Sequence, residues 1–384
     1  MQSIELFAGA GGLAIGAEFA GAKPALVVER DKWCCNTINL NRAAIIKNWP
    51  EPKEADVKTI DYSSLEGDVD LVTGGPPCQP FSMGGKHKAN DDQRDMWSEA
   101  VRAVRETLPK AFVFENVKGL MRGAFSDYTA YIQLQLTYPF IQIRSEEDWF
   151  DHLKRLEQHH SSSGDKALHY QVFPPRVLNA ANFGIPQKRE RVFFVGFRSD
   201  TGAQWSFPDA THSLDSLRMD QSEKGRYWEI HKISKKHRPK NLVKAKQFKE
   251  GLLPWVTVRD ALVDLPDPEI FPERAKDFKN HKFQPGARAY PGHTGSPLDL
   301  PAKALKAGVH GVPGGENMLV RTDGSIRYFS IRESARLQTF PDSYEFSGSW
   351  SEAMRQIGNA VPVKLAETII SSVIAQINGL DAFP

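Results

Sequence analysis

One cysteine lies in a loop whose composition suits nucleophilic chemistry. Cys78 follows two glycines and two prolines, and Gln79 and another proline come directly after it. Prolines stiffen the approach to the thiol, and the glycines leave room beside it. A structural cysteine would be embedded in a strand or helix, whereas this one lies in a polar loop after an apolar run. We therefore predict that Cys78 is a catalytic nucleophile.

An acidic residue follows the next apolar run. Phe112, Val113 and Phe114 lead directly into Glu115. A carboxyl group in that position is only partly solvated, which raises its pKa and lets it hold or donate a proton near neutrality. A glutamate that simply pairs with a lysine at the end of a strand is the alternative. We predict that Glu115 acts on the same substrate as Cys78.

A glycine-rich turn, residues 7–12, follows the first apolar run. Such a turn between a strand and a helix lets a ligand approach the backbone closely. Gly9, Gly11 and Ala14 match the dinucleotide fingerprint, and Glu29 ends the next apolar run, where an acid binds ribose hydroxyls. The turn predicts an adenosine-containing cofactor and leaves nicotinamide and adenosylmethionine both open. A turn that only packs tightly is the other interpretation.

These residues require a parallel sheet that brings them together. Apolar runs alternate with helical segments, which predicts an α/β fold with a doubly wound, mostly parallel, Rossmann-like sheet. Ligands bind such sheets at the carboxyl edge, where the strand order reverses. We therefore expect the glycine turn, Cys78 and Glu115 to meet at one edge. The predicted strands are 3–8, 25–29, 69–74, 111–116, 170–179 and 191–197, and the predicted helices are 12–19, 31–39 and 95–108.

The composition changes after residue 198. Residues 199–327 are rich in Pro, Gly, Lys and His and contain few long periodic segments, which predicts a smaller, loop-rich domain. Helical periodicity returns at residues 361–377. We expect a catalytic domain of residues 1–198, an inserted domain of 199–327, and a return segment of 328–384 that completes the first domain with a C-terminal helix.

The overall composition excludes few classes of protein, but charge is unevenly distributed along the chain. The 384 residues carry a formal net charge of +2, which does not by itself indicate a nucleic-acid partner. Residues 224–249 contain ten basic residues and one acid, with aromatic and histidine side chains among them. This pattern predicts contacts to DNA phosphates, with Lys235, Lys236 and Arg238 as candidates, and a solvated basic loop is the alternative.

The chain is similar to bacterial cytosine-5 DNA methyltransferases over both ends of its sequence. The motifs occur in that family's order. They are residues 7–12, Glu29, Asp56, Pro77-Cys78-Gln79, Glu115-Asn116-Val117, 187–191, 332–338 and 358–362. The resemblance implies transfer of a methyl group from S-adenosylmethionine to carbon 5 of a flipped cytosine, in an enzyme of the restriction-modification type.

The resemblance also implies roles for individual residues. Cys78 attacks carbon 6 of cytosine, Glu115 hydrogen-bonds N3, Arg191 reaches O2, and Arg189 supports the same pocket. The cofactor is expected to bind to Phe7, Gly9, Gly11, Glu29, Arg30, Asp56, Val57 and Asn359. The loop after the nucleophile is expected to contact DNA through Gln79, Ser82 and Lys86. We expect no metal ion in the site.

Two positions depart from the family pattern. The family often has an aromatic residue after the cofactor acid, and here Arg30 follows Glu29, so its guanidinium or an apolar neighbour must pack on adenine. The family often has a Thr-Leu pair late in the insertion, and the counterpart here is Ala304-Leu305. If that alignment holds, one hydroxyl contact is missing.

Alternative functions remain at this stage. A tRNA cytosine-5 methyltransferase shares the catalytic loop, and an inactive DNA-binding relative shares the fold. A nicotinamide dehydrogenase gives no account of the cysteine loop. We expect double-stranded DNA as partner, a monomer in the cytoplasm, and a cognate restriction endonuclease as a functional partner. Three cysteines, two of them adjacent, form no disulfide framework, and no uninterrupted apolar run predicts secretion or a membrane span.

Overall fold

A computed structural model describes residues 1–43, 45–77, 96–162, 168–223, 225–238, 245, 249–291, 294–307 and 317–381. The strands are β1 (Gln2–Leu6), β2 (Lys23–Glu29), β3 (Lys53–Glu54), β4 (Leu71–Gly74), β5 (Ala111–Val117), β6 (Tyr170–Asn179), β7 (Gln187–Lys188), β8 (Glu190–Arg198), β9 (His212–Ser213), β10 (Leu253–Pro254), β11 (Ser296–Pro297), β12 (Ala302–Lys303), β13 (Met318–Val320) and β14 (Ile326–Tyr328). The α-helices are α1 (Gly12–Phe19), α2 (Lys32–Arg42), α3 (Trp97–Thr107), α4 (Ser126–Thr137), α5 (Trp149–Ser161), α6 (Leu214–Asp220), α7 (Tyr227–Ile230), α8 (Val258–Ala261), α9 (Pro272–Ala275), α10 (Ile331–Leu337), α11 (Trp350–Asn359) and α12 (Val363–Asp381).

The central sheet has seven strands in the order β3-β2-β1-β4-β5-β8-β6. The first five run parallel, whereas β8 is antiparallel to both β5 and β6. The chain moves from β1 outward to β2 and β3, and then returns to place β4 on the other side of β1. The order of the strands therefore reverses between β1 and β4. The predicted doubly wound, mostly parallel α/β fold is confirmed.

Successive side chains of the central strands pack into two different core layers. On β5, Phe112 and Phe114 belong to a cluster with residues of α3, α4 and α5, whereas Ala111 and Val113 belong to a cluster with residues of α1 and α12. Both faces of the strand are therefore covered by helices. This explains why β5 is a continuous apolar run in the sequence, as is typical of buried parallel strands.

The C-terminal helix α12 packs its apolar side chains, among them Leu365, Ile369 and Val373, against the sheet beside α1. By length and composition alone, the helical stretch Trp350–Gly379 meets the criterion for a membrane span. However, 61% of its most apolar window is buried inside the protein, and core helices meet the same criterion.

The predicted insertion, residues 199–327, contributes to three apolar clusters, and its first part, with Trp205 and Phe207, packs in the cluster of α1 and α12. Val258, Leu305 and Leu319 pack in one cluster with Ile15 of α1 and Ile357 of α11. In addition, β12 pairs with β7, which precedes the central strand β8. A smaller cluster is formed by Ala181, Leu217, Tyr227, Trp228 and Trp255. Part of the segment that composition marks as separate is thus built into the body that carries the central sheet.

Candidate active site

A cavity of about 640 Å³ opens at the carboxyl edge of the sheet, where β1, β2, β4 and β5 end. A volume of this size is typical of small-molecule sites. The predicted site residues that line it are Phe7, Gly9, Glu29, Arg30, Asp56, Val57, Glu115 and Asn359. Pro77 lines the same cavity. The glycine turn, Glu29 and Glu115 therefore line one cavity, whereas Gly11, Arg189 and Arg191 are not among the lining residues.

The glycine turn is held by Glu29. Gly9 N–H donates to Glu29 Oε2 and Asp31 N–H donates to Glu29 Oε1, both at 2.7 Å. Gly9 and Gly11 have φ angles of 55° and 84°, the left-handed region that favours glycine. A Cβ at Gly9 would meet no atom within 4 Å, so the space above the turn is open. The carboxylate thus fixes the turn and leaves room for a ligand over its backbone.

One side of the cavity carries Arg30 and Asp56. Asp56 Oδ1 accepts from Lys58 N–H at 3.0 Å and caps the short 3-10 turn Val57–Thr59. Its other oxygen lies 3.9 Å from Arg30 Nη1, and the Arg30 side chain is 81% exposed. A long, exposed guanidinium beside the cavity is free to lie over a bound ring.

Arg102 binds the backbone of the segment that follows Asp56, and the sequence analysis did not identify it. From α3 it donates to the carbonyl oxygens of Val57 at 2.8 Å and Ile60 at 3.0 Å. Glu99 and Glu106, one helical turn away on either side, accept from the same guanidinium. Acids at i−3 and i+4 are the sequence signal for a fixed arginine, but they do not reveal its distant carbonyl partners.

Glu115 and Arg191 form a buried pair. Arg191 Nε lies 2.7 Å from Glu115 Oε1, and the two side chains are 15% and 10% exposed. Burial raises the pKa of the Glu115 carboxyl, although Arg191 and Arg189 oppose the rise. A Cβ at Gly75 would lie 3.3 Å from Glu115 Oε2, so the glycine lets the backbone just after β4 approach the acid closely. The arrangement provides a carboxyl group that retains a proton more readily than an exposed one, beside a fixed cation.

Asn116, next to Glu115, contacts the segment that leads to Cys78 in the sequence. Its Nδ2 donates to Pro76 O at 2.9 Å, and its Oδ1 accepts from Val117 N–H at 2.8 Å. Met96 N–H reaches Pro77 O at 3.4 Å, and both residues line the cavity. Cys78, Gln79, Ser82 and Lys86 lie outside the described residues. Pro77 and Met96, which precede and follow this segment in the sequence, therefore meet at the cavity wall.

Arg189 has a different place from Arg191. It is fully buried and donates to Leu305 O at 2.9 Å and to Gly358 O at 2.7 Å. Burial lowers the pKa of the guanidinium, and the neighbouring Arg191 adds to this effect. Arg189 thus fixes the end of α11 from which Asn359 lines the cavity, and its expected support of the cytosine pocket stays a prediction.

The basic candidates for DNA contact lie away from the cavity lining. Lys235 and Lys236 are exposed in the 3-10 turn Lys235–His237, and Arg238 is half-buried and donates to Ile233 O at 3.2 Å. The turn follows α7, whose Tyr227 and Trp228 belong to the smaller apolar cluster. The cations therefore follow a packed helix, and the turn that carries the two lysines is itself exposed.

Comparison with known proteins matches most of the chain. A model of the family described as C-5 cytosine-specific DNA methylase matches residues 1–136 and 159–375. The type II methyltransferase M.PspPI of Psychrobacter sp. (strain TA137) is 32% identical over 376 residues, which cover 98% of this chain and 79% of that protein. M.Eco47II of Escherichia coli is 31% identical over 376 residues, covering 97% and 78%. A solved structure described as a DNA modification methyltransferase encoded within an E. coli prophage shares the fold, with a TM-score of 0.60, 21% identity, and coverage of 98% of this chain and 99% of that one.

Proposed function

The chain belongs to the C-5 cytosine-specific DNA methylase family, and we propose that it acts through a covalent bond between Cys78 and carbon 6 of a cytosine flipped out of the duplex. It is a DNA methyltransferase of the restriction-modification type that uses S-adenosylmethionine. The observation that carries the covalent proposal is the buried Glu115–Arg191 pair beside the cavity that Pro77 lines.

The residues present fit the cofactor. Each Glu29 oxygen accepts one backbone N–H among the described residues, and a carboxylate oxygen can accept a further bond from a ribose hydroxyl. The open space over Gly9 admits the ligand, and Arg30 and Asp56 flank the position proposed for adenine. When bound, S-adenosylmethionine supplies an electrophilic methyl group on a sulfonium. Asn359 would complete the pocket from the end of α11.

The side chains account for the activation of cytosine. Carbon 5 is a poor nucleophile until the Cys78 thiolate adds to carbon 6, which moves the ring electrons towards carbon 5 and N3. Protonated Glu115 donates its proton to N3, while Arg191 stabilises charge at O2. After carbon 5 is methylated, a base removes its proton, the double bond to carbon 6 forms again, the bond to sulfur breaks, and the N3 proton returns to Glu115.

The experiment compares Cys78→Ser with Cys35→Ser, a buried thiol on α2 that does not line the cavity. Cys78→Ser should abolish transfer of labelled methyl groups to DNA while binding of DNA and cofactor survives, whereas Cys35→Ser should remain active. With 5-fluorocytosine at the target position, wild type should form an adduct that resists denaturation, because fluorine cannot leave as a proton does. Covalent attack would be contradicted if Cys78→Ser methylates DNA within about tenfold of the wild-type rate, or if active enzyme forms no adduct. Transfer of methyl groups to tRNA in place of DNA would favour a tRNA cytosine-5 methyltransferase.

We further propose that residues 199–327 contain the part that recognises the target sequence, and that Lys235 and Lys236 of the exposed turn, with Arg238 directly after it, bind DNA phosphates. Such contacts orient a protein on DNA and carry no sequence information directly. The names of the type II relatives support a cognate restriction endonuclease as functional partner. We propose action as a monomer in the cytoplasm, which analytical ultracentrifugation and cell fractionation would test.

A further inference from the structure

Asp31 fixes the start of α2 and the neighbouring cofactor acid. Its backbone N–H donates to Glu29 Oε1 at 2.7 Å. Its carboxylate Oδ1 accepts from Trp33 N–H and Cys34 N–H, each at 3.0 Å, and so caps α2. Asp31 also lines the cavity, as Glu29 does. A displacement of Asp31 would therefore move the carboxylate of Glu29 as well as the beginning of the helix.

The other carboxylate oxygen of Asp31 binds a residue 324 positions later in the chain. Arg355, on α11, donates from Nη2 to Asp31 Oδ2 at 2.9 Å, and it lines the same cavity. Glu352, about one helical turn before Arg355, accepts from the same guanidinium at 2.5 and 3.1 Å. The side chains of Arg355 and Asp31 are 33% and 31% exposed, so water screens this ion pair only in part. Two acids thus hold the guanidinium in one orientation.

A buried ring of hydrogen bonds holds the two helices in this arrangement. Thr37 Oγ1 on α2 donates to Gln356 Oε1 at 2.6 Å, and Gln356 Nε2 donates to Ser347 O at 3.0 Å. Ser347 N–H closes the ring by donating to Thr37 Oγ1 at 2.9 Å. Thr37 and Gln356 are both buried. Because Gln356 directly follows Arg355, the ring places the guanidinium beside Asp31.

We propose that Arg355 is a positioning residue for cofactor binding, which holds Asp31 and, through Asp31, the carboxylate of Glu29 in the geometry that accepts the ribose. This inference rests on the proposed placement of the ribose at Glu29. Among the described residues, Arg355 is the one cation that forms an ion pair with Asp31. One hydrogen bond then joins Asp31 to Glu29, so loss of the guanidinium would loosen the acceptor that the ribose requires. The return segment thereby contributes to the cofactor site through an ion pair as well as through Asn359.

A direct electrostatic effect of Arg355 on the cofactor makes a different prediction. A cation at the cavity wall repels the sulfonium of S-adenosylmethionine. Its removal would then strengthen binding of S-adenosylmethionine relative to S-adenosylhomocysteine, the product that has lost the methyl group and the positive charge. A positioning residue acts on the ribose acid, and both compounds carry the same ribose. Because Asp31 and Glu352 both bind the guanidinium and reduce its field at the cavity, we expect equal losses of affinity for the two compounds.

The test is calorimetry of the full chain with S-adenosylmethionine and with S-adenosylhomocysteine, in the absence of DNA. Arg355→Met keeps a long side chain and removes its donors, and Asp31→Asn keeps the cap of α2 and removes the charge. Each variant should bind both compounds about three- to tenfold more weakly than wild type. The double variant should lose no more than about the larger single loss, because the two residues act through one contact. Arg355→Lys should recover most of the affinity, since it restores the charge.

Glu352→Gln is the matched control, because it changes the other acid that binds Arg355 and leaves Asp31 in place. It should bind both compounds within about twofold of wild type. In turnover assays with DNA, Arg355→Met should raise the KM for S-adenosylmethionine and change kcat by less than about twofold. Circular dichroism and thermal unfolding establish that each variant is folded. If Arg355→Met does not fold, Asp31→Asn and Arg355→Lys carry the test.

Affinities of Arg355→Met and Asp31→Asn within about twofold of wild type would overturn the positioning role. Stronger binding of S-adenosylmethionine relative to S-adenosylhomocysteine in Arg355→Met would overturn it in favour of direct electrostatics. An equal loss of affinity in Glu352→Gln would also overturn it and show that the stability of α11, and not the ion pair with Asp31, is responsible. If wild type itself binds neither compound, the proposed placement of the cofactor fails, and this result is distinct from failure of the positioning role alone.

Discussion

Replacement of Glu5 by Gln should change how the stability of the protein depends on pH. Glu5 lies on β1, is 2% exposed, and accepts hydrogen bonds from Ser3 Oγ at 2.8 Å and from Thr73 Oγ1 on β4. No basic side chain among the described residues forms an ion pair with it. Burial raises the pKa of the Glu5 carboxyl from 4.5 to about 7, against the opposing effect of the two hydroxyls.

The direction of the effect follows from proton binding. Between pH 4.5 and about 7 the folded protein keeps a proton on Glu5 that the unfolded chain has released. Stability from this group is therefore fully present below pH 4.5 and is lost as the pH rises through about 7. One pKa unit corresponds to about 1.36 kcal/mol, so the free energy of unfolding should fall by about 3 kcal/mol across this window because of Glu5.

The assay is urea unfolding of wild type and Glu5→Gln from about pH 4 to about pH 9. Gln keeps the size of the side chain and its capacity for hydrogen bonds but does not titrate. All other ionisable groups are shared, so the difference between the two proteins isolates Glu5. From the acidic to the alkaline end of this pH range, the free energy of unfolding of Glu5→Gln should rise by about 3 kcal/mol relative to that of wild type. If the difference in the free energy of unfolding between the two proteins stays constant with pH, the buried Glu5 carboxyl does not hold the proton.

Three further changes test the site. Glu29→Ala should weaken S-adenosylmethionine binding by about tenfold to a hundredfold without changing DNA affinity, since a charged hydrogen-bond acceptor is removed; unchanged affinity by calorimetry would contradict the assignment. Gly75→Ala should lower kcat by about three- to tenfold with cofactor affinity intact, because its Cβ, 3.3 Å from Glu115 Oε2, displaces the acid; an unchanged kcat would show that the acid tolerates the shift. Changing Lys235, Lys236 and Arg238 to Gln should weaken DNA binding and leave the methylated sequence unchanged in bisulfite maps. The slope of log affinity against log salt should fall by about 0.9 for each phosphate that is no longer neutralised. An unchanged slope would mean that these residues lie in a solvated loop.

The elements that position the site could be predicted because their sequence signals are local. Helix α1 has the predicted bounds, since a glycine in the left-handed region precedes an apolar helical run. Strand β6 also has the predicted bounds. The meeting of Glu29 and Glu115 at one cavity follows from parallel strands that end at a common edge. Helices α4 and α5, which cover β5, were not predicted, because no notable motif accompanies them.

What could not be predicted depends on contacts between distant parts of the chain. Arg189 binds carbonyl oxygens 116 and 169 residues away, and no local pattern distinguishes such an arginine from Arg191, two residues later. The side chain of Gln187 shows the same behaviour, because it donates to Leu337 O while it accepts from Leu305 N–H. The motif of residues 187–191 therefore combines one side chain that lies beside Glu115 with others that join remote segments.

The predicted boundary at residue 327 lies between side chains that form buried ion pairs. Arg327 and Glu333 are 3% and 2% exposed and form a pair at 2.6 Å across that boundary, and Arg327 also pairs with Asp267 at 3.1 Å. Glu333 in turn completes the capping box at Ser330 that begins α10. Removal of one partner of a buried pair leaves an uncompensated charge, so the two sides of the boundary depend on each other. Proline and glycine content indicates where the backbone is irregular. The position of Asn359 at the cavity depends instead on buried charges and on the apolar core that α10 and α11 share with β12 and β13.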